Sequence, residues 1–238
     1  MIIKASNFEC LNKYEKTDIF SVRVLALAKA YGFSYDFVSF YCQVLNDEVT
    51  AVISYLETDV TVSAQSFADK EEIKEFIKMR PFTSVLTDET FDLDLNFEYG
   101  EIMKSSSKIE FENEFCQIDM YPKLMDLFDF INYEKQDFSA WYVDLSHRIR
   151  HGCAKAYALK IEDEIISSAI FSFIFENNAI LTSVKTENAF RKMGYASVLI
   201  SKMLFDFNGT VYLMRDKDRN ENFYKKLGFK NIGQWRMF

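Results

Sequence analysis

The feature that most constrains the fold of this chain is a pattern that occurs twice. Residues 41–55 and residues 157–171 each predict a strand, an acidic tight turn and a second strand. A further polar turn, a third strand, a helix and a fourth strand are predicted to follow in both places. The predicted third strands are 60–64 and 179–185, the helices 70–79 and 194–206, and the fourth strands 82–86 and 211–215. Any two mixed α/β segments align loosely, but agreement in element order and in turn chemistry favours a duplication.

This repeat predicts an α/β (α+β) protein of two fused lobes, each a mixed, mostly antiparallel sheet flanked by helices. We place the boundary at the serine run 105–107, which gives domains 1–105 and 106–238. The acidic stretch 88–101 is expected to form a solvated loop and an edge strand rather than a binding site.

The charge balance excludes some partners. The 238 residues carry 28 Lys and Arg against 36 Asp and Glu, a net charge of −8, so the chain lacks the positive field that nucleic-acid binding requires. No segment reaches the ~20 consecutive apolar residues that cross a bilayer, and the N-terminus lacks the pattern of a secretory signal. We therefore expect a cytoplasmic protein with neither nucleic acid nor membrane among its partners.

Two further residue sets are expected to be structural. The cysteines are far apart in the sequence and form no CxxC pair, which is typical of buried free thiols. They are Cys10, Cys42, Cys116 and Cys153. His147 and His151 have a spacing that can hold a metal, but no third ligand is suggested nearby, so we expect a solvated helix end and no metal.

The start of the predicted helix 194–206 favours an anion site. No Ser, Thr, Asp or Asn stands in the two or three positions before Gly194, so the first amides of this helix lack a side-chain cap. Gly194 lets a ligand approach the backbone, while Arg191 and Lys192 add positive charge, a combination suited to a phosphate or pyrophosphate. At the matching place in the first lobe, Asp69 and the two glutamates after it predict a capping box that closes the site.

These residues resemble the motifs of a known family. The stretch Arg191-Lys-Met-Gly194-Tyr-Ala196 is similar to the Arg/Gln-x-x-Gly-x-Gly/Ala pyrophosphate loop of the GCN5-related N-acetyltransferases (the GNAT superfamily). Val184-Lys-Thr186 resembles the Val-Tyr-Thr that often precedes that loop. Asn222-Phe-Tyr-Lys-Lys-Leu-Gly-Phe229 resembles the family's Tyr-x-x-x-Gly-Phe helix and closing strand. Each motif alone is weak, but both in order with a predicted strand between them make a strong match.

The resemblance covers residues 109–238, and the first lobe resembles a degenerate copy, as in tandem GNAT proteins. It implies an N-acetyltransferase that uses acetyl-CoA as co-substrate, without a metal, to acetylate a primary amine of a small molecule or peptide. The pantetheine arm is implied to pair with the backbone at the end of a strand, and the pyrophosphate to lie on the loop amides. The implied cofactor-binding residues are Ser183, Val184, Lys185, Thr186, Arg191, Lys192, Met193, Gly194, Tyr195, Ala196, Asn220 and Phe223.

Tyr224, four residues before Gly228, stands where the family commonly places the acid that protonates the leaving thiolate. The alternative is a packing tyrosine beside Phe223 and Leu227.

The chain departs from the family pattern at Lys217, where many members carry an Asn seven residues before the tyrosine. Asn220 and Asn222 are candidates for the contact that this Asn makes, or they are helix N-terminal residues. The alternative to an enzyme is a catalytically silent CoA-binding sensor or interaction module. Neither the general base nor the acceptor amine follows from the sequence.

Overall fold

The computed structural model describes residues 1–106, 117–131 and 137–238. Its residues group into two compact units. The first holds Met1–Ile102, Met214–Arg219 and Asn231–Phe238, and the second holds Met103–Leu213 and Asn220–Lys230. The chain thus first passes between units close to the predicted boundary at 105, although Ser107 of the serine run lies outside the described residues. The C-terminal segment, in contrast, belongs to the first unit.

The first unit contains a sheet with helices, numbered here with the rest of the chain in sequence order. Its strands are β1 (Ile2–Lys4), β2 (Val38–Leu45), β3 (Glu48–Leu56), β4 (Asp59–Ala64), β5 (Ser84–Asp88) and the C-terminal β12 (Lys230–Met237). They are hydrogen-bonded in that order, and β4 and β5 run parallel while the other pairs are antiparallel. The helices are α1 (Phe8–Leu11), α2 (Ile19–Tyr31) and α3 (Lys70–Lys78).

The second unit has the same kind of sheet. Its strands are β7 (Gln117–Asp119), β8 (Lys155–Ile161), β9 (Glu164–Phe175), β10 (Asn178–Thr186) and the first part of β11 (Thr210–Asp216). The order is β11-β10-β9-β8-β7, with β10 and β11 parallel and the other pairs antiparallel. The helices are α4 (Leu124–Ile131), α5 (Phe138–Arg150), α6 (Tyr195–Phe207) and α7 (Glu221–Lys226), with a 3₁₀ turn at Asn188–Phe190. One more strand, β6 (Glu98–Ser105), contributes residues to both units. Within each unit the strand pairing is mixed and mostly antiparallel, and helices flank the strands, which confirms the predicted α/β class.

The two acidic turns have the same backbone geometry. Leu45 pairs with Glu48, and Ile161 pairs with Glu164, so each hairpin closes over two residues. Both residues of each loop have positive φ, namely Asn46 (51°), Asp47 (67°), Glu162 (49°) and Asp163 (68°). This type I′ geometry matches the twist of antiparallel strands, and it confirms the two predicted hairpins.

The acidic stretch that follows β5 is not wholly solvated, contrary to the sequence expectation. Phe91 is 1% exposed and Leu93 is fully buried, and both join the core formed by β3, β4 and α3. Asp88, at the start of the stretch, receives a hydrogen bond from Lys16 at 3.1 Å. Buried apolar side chains spaced two residues apart therefore anchor this connection.

The structure also corrects the expectation for the cysteines. Cys10 and Cys42 form a disulfide, with their Cα atoms 6.6 Å apart. The two positions meet because β1 pairs with β2, placing Ile3 opposite Cys42, and the chain after β1 brings Cys10 back over β2. Cys153 is buried and is in no disulfide among the described residues, in agreement with the prediction, and Cys116 lies outside the described residues.

Candidate functional site

Helix α6 begins at Gly194. The φ of Gly194 is 90°, in the left-handed region that favours glycine, and a Cβ built there would meet nothing within 4 Å. No side chain among the described residues caps this helix start. The N–H groups of the first turn therefore keep their hydrogen-bonding capacity at the positive end of the helix dipole.

The loop before α6 carries two exposed cations. The Nε atom of Arg191 donates to the carbonyl of Thr186 at 3.2 Å, which holds the guanidinium beside the end of β10. Lys192 has a φ of 64°, so the chain turns sharply before it enters α6. Met193 leaves 64% of its surface in solvent. The loop thus places positive charge and an open backbone next to the uncapped helix.

Strand β10 continues past its parallel pairing with β11. The parallel register runs from Asn178 opposite Thr210 to Ile180 opposite Tyr212, and β10 continues to Thr186. The residues implied to bind the pantetheine arm, 183–186, lie on this extension. Its register against β9 shifts between Thr182 and Lys185, and Ser183 has a φ of 54°, so the extension contains a β-bulge.

The side chain of Lys185 is engaged within the protein. Its Nζ atom donates to the carbonyls of Phe130 at 2.6 Å and Ile131 at 3.3 Å, at the C-terminus of α4. A cation at this end of a helix is stabilised by the helix dipole. The side chain therefore holds α4, and a cofactor contact from Lys185 would come from its backbone.

Tyr224 lies on α7 and is half-buried. Its ring makes edge contacts with Phe223 and Phe229, at centroid distances of 4.9 and 5.8 Å. Burial raises the pKa of its hydroxyl above the ordinary value of 10.0. The ring of Tyr224 thus packs against its neighbours, as a packing tyrosine would. Its phenol also keeps its proton at neutral pH, as an acid for the leaving thiolate must.

Three of the predicted segments meet on one core. Val184 from β10, Tyr195 from α6, and Phe223 and Tyr224 from α7 all pack against the buried core of the second unit.

Ala196 is half-buried in the first turn of α6. Asn220 is exposed, begins α7 with a φ of 59°, and makes no side-chain cap among the described residues. The residues that resemble the family motifs, from Ser183 to Ala196 and from Asn220 to Tyr224, thus belong to one unit.

Sequence analysis missed two residues at the bulge, Ser167 and Ser168. Both are fully buried in β9. The signal was present, since two adjacent hydroxyls in an apolar strand must find acceptors. Their acceptors lie on β10, which no linear pattern shows.

Within the described residues, the two histidines are not part of a metal-binding cluster. No group of three or more His, Cys, Asp or Glu side chains suited to a metal occurs in the described parts of the chain. The rings of His147 and His151 lie 4.2 Å apart at the end of α5, and Nδ1 of His151 is 2.9 Å from the carbonyl oxygen of His147. No helix within the described residues is both long and apolar enough to cross a membrane.

Comparison with known proteins adds a family and a fold. Residues 119–229 match the model of the acetyltransferase (GNAT) family. No curated protein matches the chain.

Solved structures share the fold over the whole chain. A Drosophila protein aligns with a TM-score of 0.71 at 12% identity, covering 99% of this chain and 97% of that one. A GNAT-family acetyltransferase from Colwellia psychrerythraea aligns with a TM-score of 0.58 at 12% identity, covering 100% and 98%. A tandem GNAT protein from the clavulanic acid biosynthesis pathway aligns with a TM-score of 0.60 at 8% identity, covering 100% and 97%. At these identities the likeness concerns the fold.

Proposed function

We propose, from the match of residues 119–229 to the acetyltransferase (GNAT) family model, that the protein transfers the acetyl group of acetyl-CoA to a primary amine of a small molecule or peptide. We place this reaction in the second unit and in the cytoplasm. The observation that carries the proposal is the uncapped start of α6 behind the cationic loop.

The local structure fits an anionic diphosphate. Amides of the loop and first turn, from Met193 to Ala196, supply donors at the positive end of the helix dipole. Arg191 and Lys192 supply charge beside them. Gly194 leaves room for a bulky anion, because even a Cβ at this position would meet no atom within 4 Å. This donor set suits the pyrophosphate of acetyl-CoA.

The remaining proposed contacts follow the extension of β10 and the start of α7. The backbone of Ser183, Val184, Lys185 and Thr186 offers amide and carbonyl groups past the last parallel pair with β11. Tyr195, Phe223 and Asn220 are proposed to border the same ligand. The first two are half-buried, so they would add apolar contact, and the exposed Asn220 would add a polar one.

Acetyl-CoA supplies an acetyl group already activated as a thioester. Transfer forms an N–C bond and breaks the C–S bond, so the amine must lose a proton and the sulfur must gain one. We assign the second proton to Tyr224, whose raised pKa keeps its hydroxyl protonated at neutral pH. The hydroxyl of Tyr224 donates to the sulfur as the C–S bond breaks, and because a phenolate is more basic than a thiolate of ordinary thiol pKa near 8.5, Tyr224 regains its proton from solvent, which in turn takes the proton that the amine loses.

The proposal is tested by titrating acetyl-CoA into the protein by calorimetry. We expect one molecule to bind per chain, and Gly194→Glu to weaken binding by about 100-fold, because its carboxylate would stand where the pyrophosphate binds.

The matched control is Gly152→Glu. Gly152 also has positive φ (67°), and its Cβ would also meet nothing within 4 Å, so the two variants carry similar backbone strain and the same charge. Equal affinity in both variants would contradict the α6 site. Binding without acetyl transfer to any of a panel of amines would instead favour the silent CoA-binding module.

A further inference from the structure

Two adjacent serines lie in the middle of an apolar strand. Ser167 and Ser168 of β9 are each fully buried, between Ile166 and Ala169, which are also buried. Neighbouring residues of a strand point to opposite faces of the sheet. A hydroxyl is therefore buried on each face at the same point of β9. Buried hydroxyls are unfavourable unless they are hydrogen-bonded, so their partners indicate what the pair does.

Both hydroxyls bind the same short segment of β10. Ser168 Oγ donates to the carbonyl of Ser183 at 3.1 Å. Ser167 Oγ donates to the carbonyl of Lys185 at 3.1 Å and lies 3.0 Å from Oγ1 of Thr186. The two serines thus hold alternate carbonyls of one segment.

This segment is the bulge of β10. Thr182 pairs with Ile170 and Lys185 pairs with Ser168, so β10 advances three residues while β9 advances two. The extra residue breaks the regular ladder, and the positive φ of Ser183 is a disfavoured conformation for a residue with a Cβ. Such a conformation persists when the surrounding structure fixes it. The two serine bonds supply that restraint.

Fixing a carbonyl also fixes the amide that follows it. The described peptide bonds are trans, and in a planar trans peptide the N–H points opposite to the C=O. The N–H of Val184 therefore points away from Ser168, and the N–H of Thr186 points away from Ser167. Strand β10 lies between β9 and β11, so both amides are turned toward the side on which the parallel pairing with β11 ends at Ile180.

We propose that Ser167 and Ser168 are positioning residues that aim the amides of Val184 and Thr186 at the pantetheine arm of acetyl-CoA. This inference rests on the function proposed above. The serines themselves touch no ligand in this scheme, since they act through the bulge. Their loss should weaken cofactor binding more than it weakens the fold, because the bulge relaxes while the rest of the ladder stays paired.

The same strand offers a matched control. Ser172 of β9 also donates to a carbonyl of β10, that of Ile180, at 3.4 Å. Ile180 still pairs with Tyr212, so this bond lies before the extension of β10. Ser172 lies at a separate register shift, between Ile180 and Leu181, and not at the bulge between Thr182 and Lys185. Ser172→Ala removes the same chemical group from the same strand without touching the bulge.

The test compares Ser168→Ala, Ser167→Ala and Ser172→Ala. Calorimetry should show acetyl-CoA binding weakened about tenfold in the first two variants, equivalent to ~1.4 kcal/mol, and changed less than twofold in the third. Steady-state kinetics should show a raised KM for acetyl-CoA and an unchanged KM for the amine. In the protein without cofactor, the amide resonances of Val184 and Thr186 should move in the two bulge variants and stay in place in the control.

The outcomes separate the two proposals. If the wild-type protein does not bind acetyl-CoA, the proposed function fails before the serines are tested. If the wild type binds and both bulge variants bind within twofold of it, the positioning role is wrong. Ser168→Thr, which keeps the hydroxyl, should retain binding if Ser168→Ala loses it. A parallel loss in both would mean that packing rather than the hydrogen bond is responsible, and would overturn the inference.

Discussion

The two units differ at the N-termini of two corresponding helices, α3 in the first unit and α6 in the second. The difference is in the side chains that cap the first backbone amides of each helix. Asp69 caps α3, accepting a hydrogen bond from the amide of Glu72 at 3.0 Å. The buried side-chain amide of Gln43 accepts a hydrogen bond from the backbone N–H of Asp69 and donates to the backbone carbonyl of Asp69. It also donates to the carboxylate of Glu72 at 2.6 Å. At α6, Gly194 offers no side chain at all. One helix start is closed by its own residues, and the other remains available to an anion.

The ends of the two parallel strand pairs, β4/β5 and β10/β11, also differ in whether side chains of the unit occupy them. In each unit the register covers three pairs, ending at Thr61 opposite Leu86 in the first and at Ile180 opposite Tyr212 in the second. In the first unit, Lys16 bridges the strand ends beyond this point, donating to the carbonyl of Ala64 and the carboxylate of Asp88.

The ammonium of Lys16 also pairs with Asp18 at 2.9 Å. The carboxylate of Asp18 in turn accepts a hydrogen bond from the hydroxyl of Ser63, and the Ser63 hydroxyl is also hydrogen-bonded to the hydroxyl of Tyr14. This set of Tyr14, Lys16, Asp18, Ser63 and Asp88, here named the Lys16 network, occupies the end of the first parallel pair. At the corresponding end of the second pair, the serines instead turn amides outward. A shared scaffold can therefore be closed or opened by a few polar side chains, while the sheet stays the same.

A third difference lies in the segment that follows the second strand of each parallel pair, β5 in the first unit and β11 in the second. This difference gives the largest expected effect. The second unit has α7 with Tyr224 there, whereas the first has an irregular segment anchored by Phe91 and Leu93. We expect Tyr224→Phe to lower kcat about 100-fold, the scale of general-acid catalysis, and to leave acetyl-CoA affinity within twofold. Steady-state kinetics and calorimetry measure the two quantities.

The control for this substitution is Tyr157→Phe. Tyr157 is buried in the same unit, on β8, and burial raises its pKa as well. Its removal should change stability and not kcat. For Tyr224, the raised pKa means that the acid form is lost only as pH rises above 10, so the tyrosine should cause no fall in kcat between pH 7 and about pH 10. An unchanged kcat in Tyr224→Phe would leave the tyrosine with a packing role alone.

Much of this arrangement could be predicted from local sequence. The acidic turns, the α3 cap and the bare start of α6 depend on residues next to one another, so their patterns are visible in the chain. The capping box at α3 was predicted only in part. Asp69 caps as expected, but the reciprocal bond to its amide comes from Gln43 on β2, 26 residues away, and not from a glutamate of the helix.

The rest depends on residues that only the sheet brings together. Lys16 meets Asp88 across 72 residues, Ser168 meets Ser183 across a strand pair, and Cys10 meets Cys42 because β1 pairs with β2. A sequence shows that a buried serine or lysine needs a partner, but not which strand supplies it. Register decides this, and register is set by the whole sheet.

The next prediction concerns the Lys16 network. Lys16→Met should lower the free energy of unfolding by about 2 kcal/mol, because it leaves Asp18 and Asp88 half-buried without their cation. Chemical denaturation measures the loss. The Lys16→Met substitution should not create a second acetyl-CoA site, since the N-terminus of α3 stays capped by Asp69. Calorimetry should therefore still give one molecule per chain, and two would overturn the contrast between the units.

The effect of Lys16→Met should depend on pH. Burial alone would lower the pKa of Lys16, but Asp18 and Asp88 raise it above 10.5, so its contribution is lost as pH rises through that raised value. Burial alone would raise the pKa of Asp88, but Thr90 and Lys16 lower it below 3.8, so its contribution is lost as pH falls through that lowered value. The destabilisation should be largest between these limits. Lys74→Met, which removes a cation paired with the exposed Asp94, should have a much smaller effect.

The smallest expected effect is at the cap of α3. Asp69→Ala should destabilise the protein by about 1 kcal/mol, since it removes the acceptor for the amide of Glu72. Asp69→Asn keeps an acceptor and should lose less than half as much, which separates capping from charge. Neither variant should bind a second acetyl-CoA, because the Lys16 network still holds the end of the parallel pair. If removing this one carboxylate were enough to let acetyl-CoA bind the first unit, the difference between the two units would depend on the cap alone, and the Lys16 network would have no part in it.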